Sequence, residues 1–121
     1  MGNQVRILLV DDEEPLLMAL AGELREAGYE VETADDGDTA ISILQKKQFE
    51  ILLLDIRMPR MNGIEVLKYS KQQFPSTKVV MLTGFADLKL AMDSRKYGAE
   101  DFIEKPYVLE NLLFKISQVT R

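Results

Sequence analysis

The chain has 121 residues, 46% of them hydrophobic and 29% charged, a balance that suits one globular domain with a buried core. It holds no cysteine and no histidine, which excludes disulfides, thiolate metal sites, thiol nucleophiles and any imidazole base of its own. A net charge of −5 argues against direct nucleic-acid binding, because that affinity rests on neutralising phosphates.

The start, Met1-Gly2-Asn3-Gln4, lacks the charged and apolar regions of a signal peptide. Arg6 stands where a lipidation signal beginning at Gly2 wants Ser or Thr. No apolar run approaches the roughly 18–20 residues of a spanning helix, so the expectation is a cytoplasmic protein with no membrane partner. Val5–Val10 reads as a buried strand, and the acidic run Asp11-Asp12-Glu13-Glu14 with Pro15 follows it. Leu16, Leu17, Leu20 and Leu24 then form a helical apolar stripe that ends at Gly28. Glu30–Ala34 alternates polar and apolar residues, as a half-exposed edge strand does. A second helix carries Ala40, Ile43 and Leu44 and is opened by Asp36-Gly37-Asp38. Ile51–Leu54 is a second buried strand, and Ile64, Leu67 and Ser70 mark a third helix closed by Phe74-Pro75. Val79–Leu82 is a further buried strand, followed by a helix from about Asp87 to Tyr97 that stops at Gly98. The short run Asp101-Phe102-Ile103 precedes Lys105-Pro106, and a last helix carries Val108, Leu112, Ile116 and Val119.

Strand and helix alternate five times, which predicts right-handed βαβ units. The expected fold is α/β: a (βα)5 doubly wound, parallel, five-stranded sheet of flavodoxin-like order 2-1-3-4-5. Residues 1–121 are expected to form a single domain.

In such sheets function gathers beyond the carboxyl ends of the strands. Four strand ends deliver Asp11-Asp12, Asp55, Thr83-Gly84 and Lys105-Pro106 to that rim. Close carboxylates repel one another unless a cation neutralises them, and oxygen-only ligands favour a hard cation such as Mg²⁺. Lysine adds a point charge for a phosphoryl group, and threonine adds a short hydrogen-bonding arm. Such a set suits phosphoryl transfer by positioning and charge neutralisation.

These residues, with Leu53-Leu54-Asp55-Ile56-Arg57-Met58-Pro59-Arg60-Met61-Asn62-Gly63, resemble the response-regulator receiver domains of two-component signalling. The resemblance runs from about Val5 to Val119, and its D-x-x-M-P-x-M-x-G stretch is the most specific part. It implies that Asp55 accepts a phosphoryl group from a phosphohistidine on a histidine kinase or phosphotransfer protein. It implies Mg²⁺ or Mn²⁺ held by Asp12 directly, by Asp11, by Asp55 and by the backbone carbonyl of Arg57. Thr83 and Lys105 would contact the phosphoryl group, and Pro106 would fix the turn that carries Lys105, often after a cis peptide. Thr83 and Phe102 would act as the switch, remodelling the face of the fourth helix, fifth strand and fifth helix for a downstream effector. The resemblance implies a signalling phosphoacceptor, not an enzyme, and includes homodimer formation through the fourth-helix face.

Each signal has a plainer reading. Glu13 and Glu14 read as acidic residues at a helix start. Asp55 alone would be a turn aspartate, Lys105 a solvated lysine and Phe102 plain core. Two rim residues, Arg57 and Phe85, carry the expectation that they hinder attacking water, against the alternative that both point to solvent. A haloacid-dehalogenase-type phosphatase would need D-x-D after the first strand, which Asp11-Asp12-Glu13 lacks. A flavodoxin would need a Ser/Thr/Gly phosphate loop there. A pseudo-receiver would lack one of the key residues. Thr83-Gly84-Phe85-Ala86-Asp87 resembles receivers of sigma-factor-dependent activators and sensor kinases, and the fifth helix lacks the arginine pattern of the winged-helix class.

Overall fold

The computed structural model describes residues 4–120, apart from the side chain of Phe85; Met1, Gly2, Asn3 and the expectation about Phe85 lie outside what it describes. Five strands alternate with helices: β1 Arg6–Val10, α1 Glu14–Glu26, β2 Glu30–Ala34, α2 Gly37–Lys46, β3 Ile51–Asp55, α3 Gly63–Gln73 and β4 Lys78–Thr83. They are followed by α4 Leu88–Asp93, β5 Asp101–Glu104 and α5 Leu109–Val119. The sheet order is β2-β1-β3-β4-β5 and every pairing is parallel, as the alternation predicts. In register, Val10 pairs with both Ala34 and Leu54, and Leu54 pairs with Met81, so the carboxyl ends of the strands form one level rim.

The period-two geometry of the strands sorts the core into two layers. Ile7, Leu9, Leu53, Val80 and Leu82 face α1 and α5, meeting Leu17, Leu20, Leu24, Leu112 and Ile116. Leu8, Val10, Leu52, Leu54 and Met81 face the other side, against Ala40, Leu44, Val66, Leu67 and Ala91. Because both faces are covered, β3 is buried along its whole length, which explains its unbroken Ile-Leu-Leu-Leu run. Each such side chain contributes roughly 1.5–3 kcal/mol by leaving water. β2 lies at the edge, and its exposed Glu30 matches its alternating sequence.

Local signals set the helix starts. The Asp36 side chain accepts the Thr39 N–H at 2.7 Å to begin α2. Asn62 and Glu65 form a reciprocal capping box at α3, with both bonds 3.1 Å long.

The structure departs from the sequence-based expectation at three places. The fourth helix is not continuous from Asp87 to Tyr97: six residues of α4 sit between 3₁₀ turns at Phe85–Asp87 and Ser94–Tyr97. Buried Ser94 donates its hydroxyl to the Ala91 carbonyl three residues back, which competes with regular helical bonding. Leu16 is not part of the buried stripe of α1; the stripe is Leu17, Leu20, Ala21 and Leu24, and Leu16 lies exposed beside it. Val108 is also exposed, as the residue preceding the first turn of α5.

Candidate functional site

The rim at the carboxyl end of the sheet is assembled from separate connections. The buried run Ile51–Leu54 carries Asp55 to the end of β3, where it is buried. The following loop doubles back tightly. A Cβ on Gly63 would lie 2.2 Å from the Asp55 carbonyl oxygen, so only glycine admits this approach. The Gly63 N–H also donates to the Ile56 carbonyl at 2.8 Å, which fixes the loop against the acidic residue.

Asp11 leaves β1 with its backbone N–H bonded to the Ala34 carbonyl at 3.1 Å. Its carboxylate accepts the Glu13 N–H at 3.0 Å and the Lys105 ammonium at 2.9 Å. Lys105 arrives from the end of β5, its own N–H donating to the Thr83 carbonyl at 2.7 Å, and the Lys105–Pro106 peptide is cis. Its Nζ lies 3.5 Å from the Asp55 carboxylate and 4.0 Å from that of Glu13. One carboxylate oxygen each from Asp11, Asp12 and Asp55 falls within 4.8 Å of the others. Asp11 and Asp55 are buried and Asp12 is exposed, so the cluster opens to solvent on one side.

The electrostatics follow from crowding. Burial pushes the Asp55 carboxyl up to about 7; Lys105 opposes the shift, and neighbouring Asp11 adds to it. Burial would lower Lys105, but its bond to Asp11 and the charges of Asp55, Asp11 and Glu13 outweigh that and hold it above its ordinary value. One ammonium facing three carboxylates leaves net negative charge in a partly water-excluded pocket. With no cysteine or histidine in the chain, the donor set is all oxygen, which fits a hard divalent cation.

The remaining rim residues are placed as follows. Thr83 ends β4, fully buried, with its hydroxyl donating to the adjacent Gly84 carbonyl at 3.0 Å and not to the acidic cluster. Phe102 is half-buried on β5, pairs in register with Met81 and carries the Arg95 guanidinium 5.7 Å from its ring centre. Arg57 lies two residues after Asp55, and its backbone N–H works against the burial that raises the Asp55 carboxyl. Its side chain is 75% exposed but not free: it forms a two-pronged ion pair with Asp87, with Nε 3.0 Å from one carboxylate oxygen. Neither the Asp87 partnership nor the approach of Glu13 to Lys105 is marked in the sequence. Both join residues from different connections, and both acids read there as ordinary helix-start residues.

A family model for the response regulator receiver domain matches residues 7–117. The chain belongs to the receiver family. It is 38% identical over 117 residues to the transcriptional regulatory protein ZraR of Klebsiella oxytoca, covering 97% of this chain and 26% of that protein. It is 33% identical over 116 residues to the response regulator ArlR of Staphylococcus aureus, covering 96% of this chain and 52% of that protein. The receiver domain of NtrX from Brucella abortus superposes with a TM-score of 0.90 at 34% identity, covering 94% of this chain and 97% of that domain. The receiver chain thus spans about a quarter of ZraR and half of ArlR. It is a receiver of two-component response regulators, and no helix among its described residues is long and apolar enough to cross a membrane.

Proposed function

We propose that this receiver is a phosphoryl acceptor, with Asp55 as the acceptor residue and a histidine kinase or phosphotransfer protein as the donor. The observation that carries this reading is the convergence of Asp11, Asp12, Asp55 and Lys105 on one rim. An Asp55 carboxylate oxygen attacks the phosphorus of a phosphohistidine. The new O–P bond replaces the N–P bond, and the leaving imidazole nitrogen recovers its proton from solvent. The chain has no histidine, so the donor imidazole belongs to the partner.

Asp11, Asp12, Asp55 and the Arg57 carbonyl would hold Mg²⁺ or Mn²⁺, whose charge offsets that of the incoming phosphoryl oxygens. Lys105, already 3.5 Å from Asp55, pairs with the phosphoryl group as a second positive charge. The Thr83 hydroxyl turns from the Gly84 carbonyl to a phosphoryl oxygen, and Phe102 packs into the space behind it. Pro106 holds the turn that presents Lys105. Both switch residues border α4, β5 and α5, so the output is a remodelled face there, read by an effector domain, a partner protein or a second copy of the chain. Residues 1–121 act as one receiver module in the cytoplasm, and turnover is limited to the loss of the chain's own phosphate.

The test is incubation with acetyl phosphate and Mg²⁺, followed by intact mass. One phosphoryl adduct is expected on the native chain and none on Asp55→Ala. An adduct that survives in Asp55→Ala, or none on the native chain, overturns the reading.

A further inference from the structure

The Arg57–Asp87 ion pair is unlike the other contacts of the rim. Arg57 lies two residues after Asp55, and its guanidinium is turned aside to Asp87. The two partners are unequal. Asp87 is 8% exposed, and its backbone N–H is tied to the Gly84 carbonyl at 3.0 Å, so it is fixed in place. Arg57 is 75% exposed on a long flexible stem, so it is the member of the pair that can leave. A phosphoryl group on Asp55 would add charge and oxygens in the geometry that a guanidinium binds with two parallel hydrogen bonds.

The geometry points to Asp87 as a positioning residue that holds the Arg57 guanidinium in reserve, and to a phosphoryl group on Asp55 as a competitor that recruits it. This rests on Asp55 as the acceptor and adds a second basic contact, from the side chain of Arg57, to that of Lys105. Before phosphorylation the fork keeps Arg57 off the acidic pocket. After it, the guanidinium exchanges one pair of oxygens for another, and Asp87 loses its cover at the start of α4.

Beryllofluoride with Mg²⁺ is the probe, because it mimics a phosphoryl group on a carboxylate. Its affinity is measured on the native chain, Asp87→Asn, Arg57→Ala and the double variant. Asp87→Asn keeps the shape of the side chain and removes the competitor's charge, so affinity is expected to rise by up to about fivefold, the scale of an exposed ion pair. That rise is expected to vanish when Arg57→Ala is added. The Arg57 Nε–H resonance is expected to move when beryllofluoride binds the native chain, and to rest in an unpaired position in Asp87→Asn before binding. Asp87→Ser is run beside it, so that an effect peculiar to asparagine is recognised. An unchanged affinity in both Asp87 variants overturns the inference, as does an equal rise in the Arg57→Ala background. If acetyl phosphate labels Asp55 while this cycle shows no coupling, the inference alone fails; if Asp55 takes no phosphoryl group, the functional reading fails first.

Discussion

At the scale of single residues, Asp55 joins stability to function. Burial raises its carboxyl from 3.8 to about 7, so between those values the folded chain binds a proton that the unfolded chain does not. Stability of the metal-free chain is therefore expected to fall as pH rises across that window, by about 4 kcal/mol in total, and to level off above it. Asp55→Asn removes the group, so its denaturation midpoint should show little of this slope and should exceed that of the native chain at about pH 8. Urea melts at several pH values check this, and a slope undiminished in Asp55→Asn would assign it elsewhere. Gly63 and Gly84 form a contrasting pair. A methyl group on Gly63 would strike the Asp55 carbonyl, whereas one on Gly84 would meet nothing within 4 Å. Gly63→Ala should cost more than about 2 kcal/mol and slow phosphoryl uptake, while Gly84→Ala should fold like the native chain. Thermal melts and adduct formation measured side by side separate the two.

At the scale of elements, α3 offers two opposite tests. Its capping box satisfies backbone donors at Asn62 and Glu65, so Asn62→Ala should lower stability by about 1 kcal/mol. Ser70, fully buried on the same helix, has a hydroxyl with no hydrogen-bond partner among the described residues. Ser70→Ala should therefore leave stability unchanged or raise it by up to about 1 kcal/mol, measured by the same denaturant melts. The helices and strands were legible where one rule dominated. Apolar runs fixed β1, β3 and β4, and Gly28 and Gly98 marked where the chain leaves α1 and the turn after α4. The α4 region was misread because its composition is helical throughout, while the change to 3₁₀ geometry coincides with the bond from the buried Ser94 hydroxyl to the Ala91 carbonyl, which no periodicity reveals. Leu16 was misread because a leucine next to a helical stripe looks the same in sequence as one within it.

At the scale of the whole molecule, the rim was legible because parallel strands in order 2-1-3-4-5 must bring their carboxyl ends together. That inference needs only the order of elements and the residue after each strand, and it placed Asp11, Asp12, Asp55 and Lys105 on one rim. The Arg57–Asp87 fork escaped it. Its partners lie 30 residues apart on two connections, and side-chain reach sets their meeting where strand order does not. Crowded acid at the rim also makes a global prediction. Mg²⁺ that binds the folded chain alone should raise its melting temperature in proportion to the logarithm of concentration above the dissociation constant. Calorimetry should show that increment abolished or sharply reduced in Asp12→Ala, and an undiminished increment would place the cation elsewhere.

The bond between Lys105 and Asp11 joins residues 94 positions apart in the sequence. During synthesis Asp11, Asp12 and Asp55 leave the ribosome long before Lys105 does. On the functional reading proposed here, a nascent chain has its acceptor before the ammonium that pairs with it, and the rim is complete only once β5 has emerged and docked.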